Sequence, residues 1–161
     1  MKMPDMKIHA LPMMEIWKAT GIGVLTAVLL SAIMLPAFKL GIAPMPQMPS
    51  LAFAETVLGR ELPLPVGLLF HVLYVTFWSV AYVVLFRDRL TFLNALWLGL
   101  ALWVIVLVAF FPVVGWGFLG LGISPRLIPA ALVPHLLFAL FLWALCRIGF
   151  TQPAIAAKAV R

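Results

Sequence analysis

The chain has 161 residues, of which 65% are hydrophobic and only 10% are charged, and its formal net charge is +6. Soluble domains are about 45–50% apolar and about 25% charged, so a chain of this size cannot bury so much apolar surface in its own core and lipid must cover the rest. The basic residues stand at the ends of apolar runs instead of forming one patch, which excludes a nucleic-acid-binding protein. We therefore expect a single all-α membrane domain.

Four apolar runs are each long enough to cross a hydrocarbon core of about 30 Å. They predict a four-span transmembrane helix bundle that occupies residues 1–161, with spans at about 16–38, 64–86, 91–114 and 127–150. A short helix at about residues 50–59 is predicted between the first two spans, with Ser50 as its N-cap and Gly59 at its C-terminus. We expect this helix to lie on the outer surface of the membrane or to cap the mouth of the bundle.

The distribution of lysine and arginine predicts the orientation of the spans. Eight basic residues fall on one side of the membrane, namely Lys2, Lys7, Lys18, Arg87, Arg89, Arg147, Lys158 and Arg161. Three fall on the other side, namely Lys39, Arg60 and Arg126. Because cytoplasmic loops carry the excess of positive charge, both termini and the turn at Arg87 are predicted to be cytoplasmic.

The two halves of the chain follow one plan, which indicates a tandem repeat of a helical hairpin. Each half has a span that ends near a proline (Pro36 or Pro112), an outer loop, and a returning span with one histidine (His71 or His135). Two hairpins inserted in the same way place their returning spans parallel. The two histidines then lie at matching depth in the outer leaflet, where a buried ionisable side chain indicates a functional site.

Two imidazoles at one depth are the ligands that a b-type haem needs, because haem iron takes axial ligands from both faces of the ring. His71 and His135 are the predicted ligands, with Tyr74 and Phe138 packing on the porphyrin. Arg60 or Arg126, at the outer mouth, would pair with a propionate. This interpretation predicts an electron-transfer protein that associates with a respiratory chain.

Two other functions fit the same residues. The histidines can instead tie helices together by hydrogen bonds in an accessory subunit of a membrane complex. Alternatively, proline-interrupted spans in matching positions indicate a small proton or solute pathway, for which a homodimer would be needed. Hydrolytic activity is not expected, because no nucleophile, base and acid constellation is visible. Met45 and Met48 offer thioethers that suit copper, but two methionines alone are weak evidence for a metal site.

The order of these features resembles an uncharacterised bacterial family of four-helix integral membrane proteins of the YagU-like kind. The resemblance rests on three short segments, His71-Val72-Leu73-Tyr74, Phe111-Pro112 with Gly115-Trp116-Gly117-Phe118-Leu119-Gly120, and His135-Leu136-Leu137-Phe138. Relatives carry glycines near the histidines where this chain has Val75, Ser79, Ala139 and Trp143. The resemblance implies a bacterial inner-membrane location and supplies no catalytic residues.

Overall fold

The computed structural model describes residues 12–150, which form helices and no strand. The helices are α1 (Met13–Lys39), α2 (Pro49–Leu58), α3 (Leu64–Leu85), α4 (Phe92–Val113) and α5 (Leu127–Gly149). All except α2 are long and apolar enough to span a membrane. The predicted all-α four-span bundle is confirmed, and the chain is a multi-pass integral membrane protein.

The long helices pack in the order α3, α1, α5, α4, because α1 contacts both α3 and α5 while α4 contacts α5. Each predicted hairpin is therefore formed, and the contact between α1 and α5 joins the two. Within the described residues, the backbone of α3 makes few close approaches to α4 and α5, although side chains of all three helices, among them Val83, Leu102 and Leu142, share one hydrophobic core. At one end of the bundle, here called the loop end (residues 40–63 and 114–126), α2 fills the space that this leaves.

Aromatic side chains fix α2 in that position instead of leaving it free on the membrane surface. The ring of Phe53 in α2 stacks on Phe110 of α4, with a centroid distance of 5.0 Å, and meets Phe70 of α3 edge-on at 6.3 Å. Ala52 and Ala54 of α2 are buried. Of the two predicted positions for this helix, the structure therefore favours the one that caps the bundle.

One glutamate anchors the segments on either side of α2. The carboxylate of Glu55 accepts hydrogen bonds from Gln47 Nε2 at 2.9 Å and from the backbone N–H of Leu62 at 3.1 Å.

Helix α2 begins at Pro49, after Met48, so the prediction of Ser50 as N-cap is wrong. Proline is preferred at the first helical position because its missing N–H would have no partner there, and this preference moves the helix start.

A glycine allows close backbone contact in each hairpin. A methyl group on Gly23 of α1 would lie 2.7 Å from the Thr76 Cα of α3, and one on Gly99 of α4 would lie 2.7 Å from the His135 carbonyl oxygen of α5. Each glycine precedes its proline, Pro36 or Pro112, by 13 residues. This matched pair of crossings agrees with a hairpin repeat.

At the opposite end of the bundle, here called the turn end (residues 86–91), polar contacts link α1, α3 and α4. Arg87 forms a salt bridge of 2.9 Å with Glu15 at the start of α1. The Tyr82 hydroxyl donates to the backbone carbonyl of Thr91 at 2.9 Å, and the Thr91 side chain caps α4 by accepting from the N–H of Asn94. These contacts fix where α3 ends and α4 begins.

Candidate functional site

A cavity of about 660 Å³ lies inside the loop end of the bundle. Its walls, which are almost wholly apolar, come from all five helices and from the proline-rich connection before α2. Binding sites for small molecules have volumes of about 300–1,000 Å³ and mostly apolar walls. This space, here called the loop-end cavity, is therefore large enough for a molecule of the size of a cofactor or a lipid.

Both histidines line the loop-end cavity. His71 follows the start of α3 by seven residues and His135 follows the start of α5 by eight, so both lie about 10–12 Å along their helices at 1.5 Å per residue. Tyr74 and Phe138 also line the cavity. The structure thus brings together four of the six predicted site residues from two helices that do not pack closely on each other.

The two predicted arginines are placed elsewhere. Arg60 lies in the connection after α2 and Arg126 lies immediately before α5, and both side chains are exposed outside the cavity lining. Within the part of the chain that the structure describes, no lysine or arginine lines the cavity. A bound anion would therefore find no positively charged partner on these walls.

The ring of His135 has a defined tautomer because of its hydrogen bond. Its Nδ1 lies 2.6 Å from the backbone carbonyl oxygen of Ala131, one turn earlier in α5. A carbonyl oxygen can only accept, so Nδ1 carries the proton and a neutral ring keeps a lone pair on Nε2. This arrangement, in which the second nitrogen donates to a carbonyl, is the one that orients metal-ligating histidines.

Helix α4 positions the part of α5 that carries His135. Gly99 allows close approach to the His135 carbonyl, and one turn later the Trp103 indole donates to the carbonyl of Ile128 at 3.0 Å. The last part of α4 contains a π-helical turn, Val106–Phe110, followed by Pro112. Such turns are frequent at functional sites, and Val106 and Phe110 of this one line the cavity.

Two residues of the cavity lining carry buried polar atoms that have no hydrogen-bond partner among the described residues. They are Nε2 of His71 and Oγ of Ser50. The backbone of Ala27 in α1 lies beside the His71 ring, but neither histidine makes a well-formed side-chain hydrogen bond to another helix. Both atoms have essentially no accessible surface, so they do not face the open space of the cavity. An unsatisfied buried polar group costs about 1–3 kcal/mol.

Some walls of the loop-end cavity reach the lipid-facing surface of the bundle. Leu73 and Phe77 of α3 are 58% and 63% exposed and Val133 of α5 is 49% exposed, yet all three line the cavity. Because these helices span the membrane, their exposed apolar side chains contact lipid. A molecule dissolved in the bilayer can therefore enter from the side.

Several lining residues were not predicted from the sequence as part of a site. Ser50 was assigned to a helix cap, while Met34 from α1 joins Met45 and Met48 on the cavity lining.

Within residues 12–150, the structure contains no group of three or more histidine, cysteine, aspartate or glutamate side chains that would hold a metal ion. One sequence signal could have predicted the close approach of α4 and α5 at His135. Gly99 precedes Pro112 by 13 residues, just as Gly23 precedes Pro36.

Comparison with known proteins does not assign the chain to a family. No protein-family model matches it, and it matches neither a curated protein nor a solved structure. A function must therefore be argued from the cavity.

Proposed function

We propose that this integral membrane protein binds an apolar molecule from the bilayer in the loop-end cavity, where His71 and His135 contact the polar group of that molecule. The observation that carries the proposal is about 660 Å³ of apolar space that is lined by His71 and His135 and reaches the lipid-facing surface of the bundle. Because no lysine or arginine among the described residues lines the cavity, we expect the ligand to be uncharged. The exposed side chains of Leu73 and Phe77 supply an entrance from lipid.

A cavity-filling variant tests this proposal. Ala130 lines the cavity, whereas Ala101 is exposed on the outer face of α4, so Ala130→Phe and Ala101→Phe add the same side chain inside and outside the site. We expect native mass spectrometry of the protein released from mild detergent to show a bound apolar molecule in the wild type and in Ala101→Phe. The adduct should be lost in Ala130→Phe. An unchanged adduct in Ala130→Phe would place the ligand elsewhere.

A second candidate ligand is haem b, with His71 and His135 as axial ligands and electron transfer as the activity. It is supported by the placement of both histidines on one cavity and by the His135 tautomer, which leaves Nε2 free to bind iron. Tyr74 and Phe138 supply aromatic contacts for the porphyrin. Since Arg60 and Arg126 lie outside the lining, the propionates would have to extend out of the cavity toward solvent.

A visible spectrum distinguishes haem from the first candidate. Protein expressed with haem supplied should show a Soret band and a reduced-minus-oxidised α band, which His71→Ala and His135→Ala should each abolish. A colourless wild-type protein, or unchanged bands in either variant, excludes bis-histidine ligation.

The location, orientation and partners of the chain are further proposals. We propose a bacterial inner-membrane protein of the YagU-like kind with both termini in the cytoplasm, which places the loop-end cavity in the outer leaflet. The orientation is supported by the distribution of lysine and arginine between the two ends of the bundle. The location is what the resemblance at the segments that begin at His71, Phe111 and His135 implies. Labelling of Arg60→Cys and Asp88→Cys with a membrane-impermeant maleimide, in a Cys146→Ser background, should modify only Arg60→Cys in intact spheroplasts.

Association with a respiratory complex is proposed together with haem binding, and association with another membrane complex as an accessory subunit together with histidines that tie helices to one another. A second copy of the chain is proposed together with a proton or solute pathway. Mild-detergent copurification and the mass of the purified particle test these partners. Recovery of a single copy alone would count against all three.

A further inference from the structure

The two histidines differ in what they present to the loop-end cavity. Both line it, but Nε2 of His71 has essentially no accessible surface. Nε2 of His135 forms no hydrogen bond among the described residues and does retain accessible surface. Of the two rings, His135 is therefore the one that offers a free nitrogen to a bound molecule.

The hydrogen bond of the other ring nitrogen fixes what this free nitrogen can do. His135 donates through Nδ1 to the carbonyl of Ala131, so its neutral ring can accept a hydrogen bond at Nε2 but cannot donate one there. Protonation of Nε2 would place a charge in an apolar space within the membrane, which is costly. The free nitrogen of His135 is therefore an acceptor only.

The backbone of α5 adds a second acceptor next to this ring. Pro134 lies inside α5 and has no N–H, so it cannot donate to the carbonyl of Ala130 one turn earlier. Ala130, Pro134 and His135 all line the cavity. A polar group that contacts this wall of the cavity must therefore bring a hydrogen-bond donor.

The rest of the lining requires little further polarity in the ligand. The hydroxyls of Ser31 and Tyr74 can each donate or accept, so they do not select between donors and acceptors. The apolar lining continues to the lipid-exposed side chains of Phe77 and Val133. An apolar chain can leave the cavity through this side and remain in the bilayer.

We propose that the loop-end cavity binds a neutral long-chain alcohol, whose hydroxyl donates to His135 Nε2 and whose chain extends through the lipid-facing side. This inference rests on the proposed binding function and specifies its ligand class. An ether or ester of the same alcohol has an oxygen acceptor but no donor, so it would face the acceptors of α5 with another acceptor. The site therefore distinguishes a free alcohol from its etherified or esterified form.

The test compares 1-decanol with its isomer 1-methoxynonane, an ether that has the same atoms but no donor. Tritiated probes are bound to immobilised, detergent-solubilised protein in a scintillation-proximity assay, and the ratio of the two affinities is compared between variants, so that partition into detergent cancels. We expect the ratio to favour the alcohol about fivefold to tenfold more in the wild type than in His135→Leu, as for the loss of one hydrogen bond. Ether binding should be unchanged in His135→Leu, which shows that the variant is folded.

Two further variants separate hydrogen bonding from packing. In His135→Gln the alcohol should bind as in the wild type and the ether should bind more tightly, because an amide both accepts and donates. Gly21, where an added methyl has no atom within 4 Å, supplies the control variant Gly21→Ala, which should keep the wild-type ratio.

Each other outcome contradicts a specific part of the reasoning. The same affinity ratio in the wild type and in His135→Leu would overturn the role of His135 as the acceptor, while leaving the cavity as a binding site. A lower ratio in His135→Leu without tighter ether binding in His135→Gln would overturn the donor requirement. If neither the alcohol nor the ether binds the wild type, the proposed function itself fails.

Discussion

The most direct test of the architecture around His135 is the substitution Gly99→Ala. The added methyl would lie 2.7 Å from the His135 carbonyl oxygen and 3.4 Å from the Ala139 Cβ. A Cβ atom that close to another heavy atom is essentially never found, and the clashing atom is backbone, so α4 and α5 must move apart by several tenths of an ångström. Overpacking of this kind costs about 1–3 kcal/mol. The movement also shifts the ring that faces the cavity.

We expect Gly99→Ala to lower the midpoint of thermal unfolding in detergent and to weaken binding of the cavity ligand. Gly21→Ala is the matched control, because the same change there meets no atom within 4 Å of the added methyl and alanine is the better helix former. Circular dichroism measures unfolding and native mass spectrometry measures ligand retention. Equal unfolding midpoints for the two variants would refute the close helix crossing.

Three further substitutions test other contacts. Glu55→Ala removes the acceptors for Gln47 and Leu62, so hydrogen exchange of α2 amides should accelerate while α5 is unchanged; equal rates would show that the anchor is unimportant. Thr76→Val replaces a buried hydroxyl without a partner among the described residues, so stability should stay equal or rise by about 1 kcal/mol, and a clear loss would reveal a missing partner. Arg87→Ala breaks an exposed ion pair with Glu15 and should cost no more than about 1 kcal/mol; a larger loss would mean that this pair fixes α1.

Hydrophobic periodicity and residue spacing predicted some of the residues that line this cavity and failed for others. The two histidines could be paired because each occupies the same position in a returning span, and both now lie on one cavity. The assignment of Arg60 and Arg126 to the same site rested only on their being near the predicted mouth, and spacing along the chain does not fix where a loop side chain points. Ser50 could not be found because a serine near a helix start is usually a cap.

The sequence by itself determined that this is an all-α membrane protein with four spans, because runs of about 20 apolar residues can satisfy their backbone hydrogen bonds in lipid only as helices. The repeated plan of a span that ends near a proline and a returning span with one histidine also predicted the two hairpins, although the shortest connection, residues 86–91, joins α3 to α4. Only the tertiary structure decided that the backbone of α3 makes few close approaches to α4 and α5, that α2 packs at the loop end between α3 and α4, and that His71, Ser50 and His135 line one cavity. These features depend on where helix backbones approach most closely, at Gly23 and Gly99, and on packing between segments far apart in the chain.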